Sequence, residues 1–124
     1  MKTLKIMTML VVLSLLTLAG CKKEPGFEGK NNIVGTVSLN GKPTANAIVH
    51  IAFDAKEATA EFDATTVTDA SGKYSFSALS PGDYFVDAEY TSNVDALHIK
   101  FESAGAHVNI GSKKEDVTVD LTLE

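Results

Sequence analysis

From Ile33 to the last residue, apolar and polar side chains alternate in short runs separated by turn-forming residues. A period of two predicts strands, not helices. The run IVGTVSL puts Ile33, Val37 and Leu39 in one phase, and Asn40-Gly41 follows as a hairpin signal with Pro43 close behind. In AIVHIAF, Ala47, Val49, Ile51 and Phe53 face one way and Ile48, His50 and Ala52 the other. The next piece, DAKEATAE, has no apolar stripe and predicts a loop. Beyond it, EFDATTVTD leads into the turn Asp69-Ala70-Ser71-Gly72, and KYSFSAL returns with Tyr74, Phe76 and Ala78 inward. Ser80-Pro81-Gly82 turns the chain into DYFVDAEY, where Tyr84, Val86, Ala88 and Tyr90 oppose Phe85, Asp87 and Glu89. Leu97, Ile99 and Phe101 form a later inward phase, followed by the short run HVNI. Val117, Val119, Leu121 and Leu123 then alternate with polar residues to the end.

Short strands at near-regular spacing, without a convincing helix, predict an antiparallel sandwich. Clean polar-out phases agree, because antiparallel sheets commonly bury one face and wet the other. The stretch 33–124 is long enough to fold without disulfides or metal. Residues 21–32 are polar and carry Pro25, Gly26 and Gly29, which predicts a flexible tether reaching roughly 35 Å when extended, at about 3.3 Å per residue. Phe27 is the odd residue of that tether and is expected to pack on the domain edge or the membrane surface.

The first 20 residues have a different pattern. Lys2 and Lys5 precede an uncharged run from Ile6 to Gly20, which ends in the small residues Ala19 and Gly20. A basic start, a short apolar middle and a small-residue end make a secretory signal. The run of 15 residues is short of the roughly 20 needed to span a bilayer. Leu18-Ala19-Gly20-Cys21 resembles the lipobox of bacterial lipoproteins at all four positions. The resemblance implies cleavage before Cys21 and lipidation of Cys21 with three acyl chains, palmitate-like anchors that hold the chain on a membrane. One acyl chain binds only marginally, and several anchor stably. Cys21 is the single cysteine, so a disulfide has no partner within the chain.

Cutting there leaves 104 of the 124 residues, one domain's worth. Nine lysines then face 16 acids, a net charge of about −7 with unperturbed groups at neutral pH. There is no arginine and no tryptophan. An acidic, arginine-free surface argues against the usual grip on nucleic acid phosphates. It also argues against an electrostatic hold on anionic lipid, so the acyl chains supply the membrane address. Lys22 stands where an aspartate would signal inner-membrane retention in enteric-type bacteria, which points to the outer membrane of the cell envelope.

The segment VGTVSLNGKPTANAIVHI with TVTDASGKYSFSALSPGDYFVDAEY resembles the carboxypeptidase regulatory-like family. Gly35, Val37, Gly41, Pro43, Ala47 and Val49 fill the first half of that pattern. Asp69, Gly72, Tyr74, Phe76, Leu79, Pro81, Gly82, Tyr84, Val86 and Ala88 fill the second. Asn46 and the DAKEATAE loop depart from it, and residues 91–112 match little. The resemblance implies a seven-stranded, transthyretin-like Greek-key sandwich, of a kind that often accompanies enzymes or transporters as a non-catalytic module. Tyr84 is placed to return its hydroxyl to a nearby carbonyl, as in a tyrosine corner.

Catalytic chemistry finds little support. No G-x-S-x-G motif occurs and no second thiol could act as nucleophile. The C-terminal Tyr-Arg-Gly-Ser tail of transthyretin-like purine-ring hydrolases is missing, and no lysine lies between Ile33 and Leu39 for an isopeptide crosslink. The chain is therefore expected not to be an enzyme and to hold no cofactor. His50 and His98 are weak metal candidates that could meet on neighbouring strands, with Asp87 or Glu89 adding an oxygen. His107 is the third histidine. H-x-H and H-E-x-x-H spacings are missing, and surface histidines are the ordinary reading. Asp54, Asp63, Asp69 and Asp95 read as turn caps rather than calcium ligands, because no EF-hand-like loop occurs. Phe62 and Phe85 could form a sugar platform, but outward phenylalanines more commonly pack beneath a loop. The expectation is a membrane-anchored interaction module for an envelope protein or glycan. The alternative is a small-ligand or metal carrier.

Overall fold

The computed structural model describes residues 24–93, 97–114 and 116–124. Its elements are β1 (Asn31–Leu39), β2 (Lys42–Pro43), β3 (Ile48–Phe53), β4 (Ala64–Val67) and β5 (Lys73–Leu79). They continue with β6 (Gly82–Ser92), β7 (Ile99–Glu102), β8 (Ala106–Ile110), β9 (Asp116–Thr118) and β10 (Leu121–Leu123). Among the described residues there is no helix. In the first sheet β1 is central, antiparallel to β5 and β2 on one side and parallel to β9 and β10 on the other. The second runs β4-β3-β6, with β7 and β8 along the far side of β6.

Ten segments reduce to seven full strands and the two-residue β2. β9 and β10 keep one register along β1, Asn32 opposite Asp116 and Val37 opposite Leu121. β7 and β8 lie along β6 with a slip of one residue, Glu89 opposite Glu102 but Val86 opposite Ala106. That is the signature of a β-bulge. The Ser103 hydroxyl accepts the Ala88 N–H at 2.8 Å inside it. The expected sandwich is therefore present, with one correction. The closing strand pairs parallel to β1, so the sheets are not wholly antiparallel.

The alternating phases become the core. Ile33, Val37, Val49, Ile51, Leu79, Tyr84 and Val86 are fully buried between the sheets, with Phe76, Val108, Ile110, Leu121 and Leu123 nearly so. Each aliphatic side chain removed from water contributes about 1.5–3 kcal/mol. At Gly35 the last strand passes so close that a Cβ would lie 1.7 Å from the Val119 carbonyl oxygen. Only glycine fits there. Asn40 and Gly41, both at positive φ (53° and 79°), form the two-residue primed turn between β1 and β2 that their sequence announces.

Two inward phases break. Ala78 adopts φ 61° and is exposed, and the chain resets so that Leu79 enters the core. The β1–β5 register shifts at the same point, between Asn31 and Ile33. Leu97 (62 % exposed) and Ile99 (50 %) were expected inside but stay out. Ile99 pairs with Ser92, the last residue of β6 and one inward step beyond Tyr90.

Part of the stretch expected to tether the domain departs from expectation, and residues 21–23 of it lie outside the described residues. Asn31 and Asn32 belong to β1, and residues 24–30 lie against the sandwich. The Gly26 N–H donates to the Tyr84 hydroxyl at 3.0 Å, and the Gly26 carbonyl accepts from Ser80 N at 2.9 Å. Gly29 N donates to the Ala78 carbonyl at 3.0 Å. Phe27 stands edge-on to Phe53 with ring centres 5.1 Å apart, as its expected packing on the domain requires.

Candidate functional site

The polar face of the second sheet collects the side chains that could recognise something. His50 on β3 stands opposite Asp87 on β6, and Glu89 on β6 stands opposite Glu102 on β7. Both pairs follow from period-two phases that turn these residues outward. The loop between β3 and β4 folds back over the same face. Its Asp63 carboxylate accepts the Phe53 N–H at 2.6 Å, and its Phe62 ring stacks on His50 at 4.2 Å between centres. A concavity of about 260 Å³ remains between Phe62, His50, Asp87, Glu89, Lys100 and Glu102.

The electrostatics are lopsided. Lys100 Nζ sits 3.3 Å from Glu89 and 3.1 Å from Glu102, and these bonds to Glu102 and Glu89 hold its pKa above the usual lysine range. His50 Nε2 lies 3.8 Å from the Glu89 carboxylate, while its Nδ1 is buried without a hydrogen-bond partner among the described residues. Partial burial pushes the Asp87 carboxyl up, with Glu89 and Glu102 adding to the rise and His50 opposing it. One aromatic wall, one amine, one imidazole and three carboxylates thus face solvent together.

The other candidates separate. His98 Nδ1 donates to the Asn93 side-chain oxygen at 2.6 Å, beyond the end of β6. His107 Nε2 donates to Asp83 at 2.7 Å at the opposite end of that strand. Bonds from Asn109 and His107 hold the Asp83 carboxyl below the ordinary range. The three histidines occupy three places, and His50 does not meet His98. Among the described residues no group of three or more His, Cys, Asp or Glu could hold a metal ion. Phe85 packs under Ala55 beside Ala52, 7 % exposed, so it offers no sugar platform. Phe62 stays 36 % exposed. Cys21 lies outside the described residues.

A larger, shallower hollow of about 610 Å³ opens where β4 and β5 part, lined by Val34, Thr36, Thr66, Val67, Lys73 and Ser75. Its acid, Asp69, is engaged in its own turn, accepting Ser71 N at 2.8 Å and Lys73 N at 2.9 Å. Its tyrosine, Tyr74, donates to the Val119 carbonyl at 2.6 Å. The chemistry therefore gathers on the second sheet. Sequence phase puts His50, Asp87 and Glu89 on one face, but the arrival of Phe62, Lys100 and Glu102 depends on a loop path and a strand neighbour that no local pattern encodes.

The motif residues build turns and corners. Tyr84 donates its hydroxyl to the Ser80 carbonyl at 2.6 Å, the expected tyrosine corner. A sandwich so built defines a class of small β domains. The carboxypeptidase regulatory-like domain family model matches residues 32–124, and the chain belongs to that family. No curated protein matches the sequence. Among solved structures it resembles a Pseudomonas aeruginosa protein to which carbohydrate binding has been ascribed. The identity is 17 %, covering 78 % of this chain and 90 % of that one, with a TM-score of 0.48. It also resembles a DUF3823 family protein from Parabacteroides merdae (16 %, 77 % and 46 % covered, TM-score 0.44). A minor pilin from Streptococcus agalactiae is similar as well (19 %, 82 % and 45 % covered, TM-score 0.46).

Proposed function

We propose that this chain is an envelope lipoprotein, held by three acyl chains on Cys21, whose sandwich is a non-catalytic module for protein or glycan contacts. The outer membrane is its proposed location. The observation that carries the reading is the sequence order: Leu18-Ala19-Gly20-Cys21 closes an uncharged run just ahead of a regulatory-like domain. The concavity beside Phe62 supports the contact role. It is shallow and charged, suited to polar partners. Against the metal form of the carrier alternative, His50 and His98 stand apart among the described residues.

Intact mass of the membrane-fraction protein tests the anchor. A chain beginning at Cys21 with the added mass of three acyl chains, absent from Cys21→Ser, is expected. An unmodified chain removes the membrane address. For the contact role, glycan and peptide arrays should show signals that weaken together in Phe62→Ala and Glu102→Ala. Signals indifferent to both variants would place contacts elsewhere.

A further inference from the structure

The short chain between Cys21 and the docked segment 24–30 restricts how the sandwich can stand on a membrane. Pro25 already touches the domain, since a Cβ on Gly82 would fall 2.5 Å from its ring, and Gly26 is bonded to both Tyr84 and Ser80. Only Lys22, Lys23 and Glu24 separate Cys21 from Pro25. Fully extended, that distance is about 14 Å at most, from roughly 3.6 Å per residue. The headgroup layer is itself about 5–7 Å deep on each side. A tether free from Cys21 to Asn32 would let the domain tumble, whereas contacts at Pro25 and Gly26 shorten its free length to the residues before Pro25.

We infer that the end of the sandwich carrying Phe27, Ser80–Gly82 and residues 111–114 rests against the lipid headgroups. The inference depends on the proposal that Cys21 carries lipid. Two further observations select the same end. Phe27 backs onto Phe53 yet remains 46 % exposed, an aromatic placed for the membrane–water interface. Lys30, Lys56, Lys113 and Lys114, four of the seven described lysines, lie at this end among its carboxylates, so amines are at hand there for headgroup phosphates. The opposite end, with the Asn40-Gly41 turn, the Asp69–Gly72 turn and the exposed Leu97 and Ile99, projects outward. It lies about 33 Å away along the 11 residues of β6, at about 3.3 Å per residue.

The chain has no tryptophan and one cysteine, which makes the test direct. The chain from residue 21 is coupled through Cys21 to a maleimide lipid in vesicles of phosphatidylcholine and phosphatidylglycerol with brominated acyl chains. Emission is then read from Phe27→Trp, Lys113→Trp and Leu97→Trp in turn. Quenching and a blue shift in the first two, with Leu97→Trp unquenched, are expected. Equal quenching at all three positions, or none at the first two, overturns the orientation. Chemical coupling replaces the biological anchor, so this result judges the orientation alone, and the intact mass from cells judges lipidation.

Discussion

Among the described residues the Asp87 carboxylate has no hydrogen bond or ion pair to share the burden of its partial burial, whereas Glu89 beside it has Lys100 at 3.3 Å. Burial lifts the folded-state pKa of Asp87 above the ordinary 3.8, so the folded chain holds its proton more tightly than the unfolded one. Between those two values the native state binds more protons, and stability falls as pH rises through that window. Asp87→Asn removes the dependence. Urea denaturation across the acid range should show the variant at least as stable as the parent at neutral pH and flatter just above about pH 4, near the unperturbed carboxylate value. A steeper loss in the variant would mean that Asp87 is stabilised by something on this face. That His50, Asp87 and Glu89 share a face is readable from the alternation of β3 and β6. The stacking of Phe62 on His50 is not, because it depends on how ten irregular residues close over the sheet.

At the scale of elements, the turn between β4 and β5 shows local chemistry deciding a connection. Asp69 accepts two backbone N–H groups through its carboxylate, and its carbonyl accepts the N–H of Gly72 at 3.0 Å. Asp69→Ala leaves those amides unmet and should cost about 1–2 kcal/mol, read as a lower urea midpoint at unchanged slope. Asp69→Asn should recover much of the loss, since an amide oxygen accepts the same bonds. Turns of this kind were legible because their partners lie within four residues. The same holds for the Asn40-Gly41 turn and the Tyr84 corner. The exposure of Leu97 and Ile99 was not legible, because their alternation is intact and period two does not say how far a facing sheet extends. Nor was the parallel pairing of β9 and β10, since period two does not encode strand direction.

Across the whole molecule, the two long sides of the sandwich differ. On one side Ser103 bridges to Leu123, and Glu102 and Glu124 exchange backbone bonds at 3.3 and 3.0 Å, joining the sheets. On the other side β4 and β5 part beyond the Asp69 turn, and each has no strand partner on its outer edge among the described residues. The molecule is bound like a book along one spine. Thermal breathing should part its covers at the unbound margin first, so amides of β4 should exchange with deuterium well before those of β1. Equal protection in the two strands would show that the spine confers no such asymmetry. The fore-edge is accordingly where extra residues would be carried most cheaply, and where a stray strand from another molecule would find a loose page.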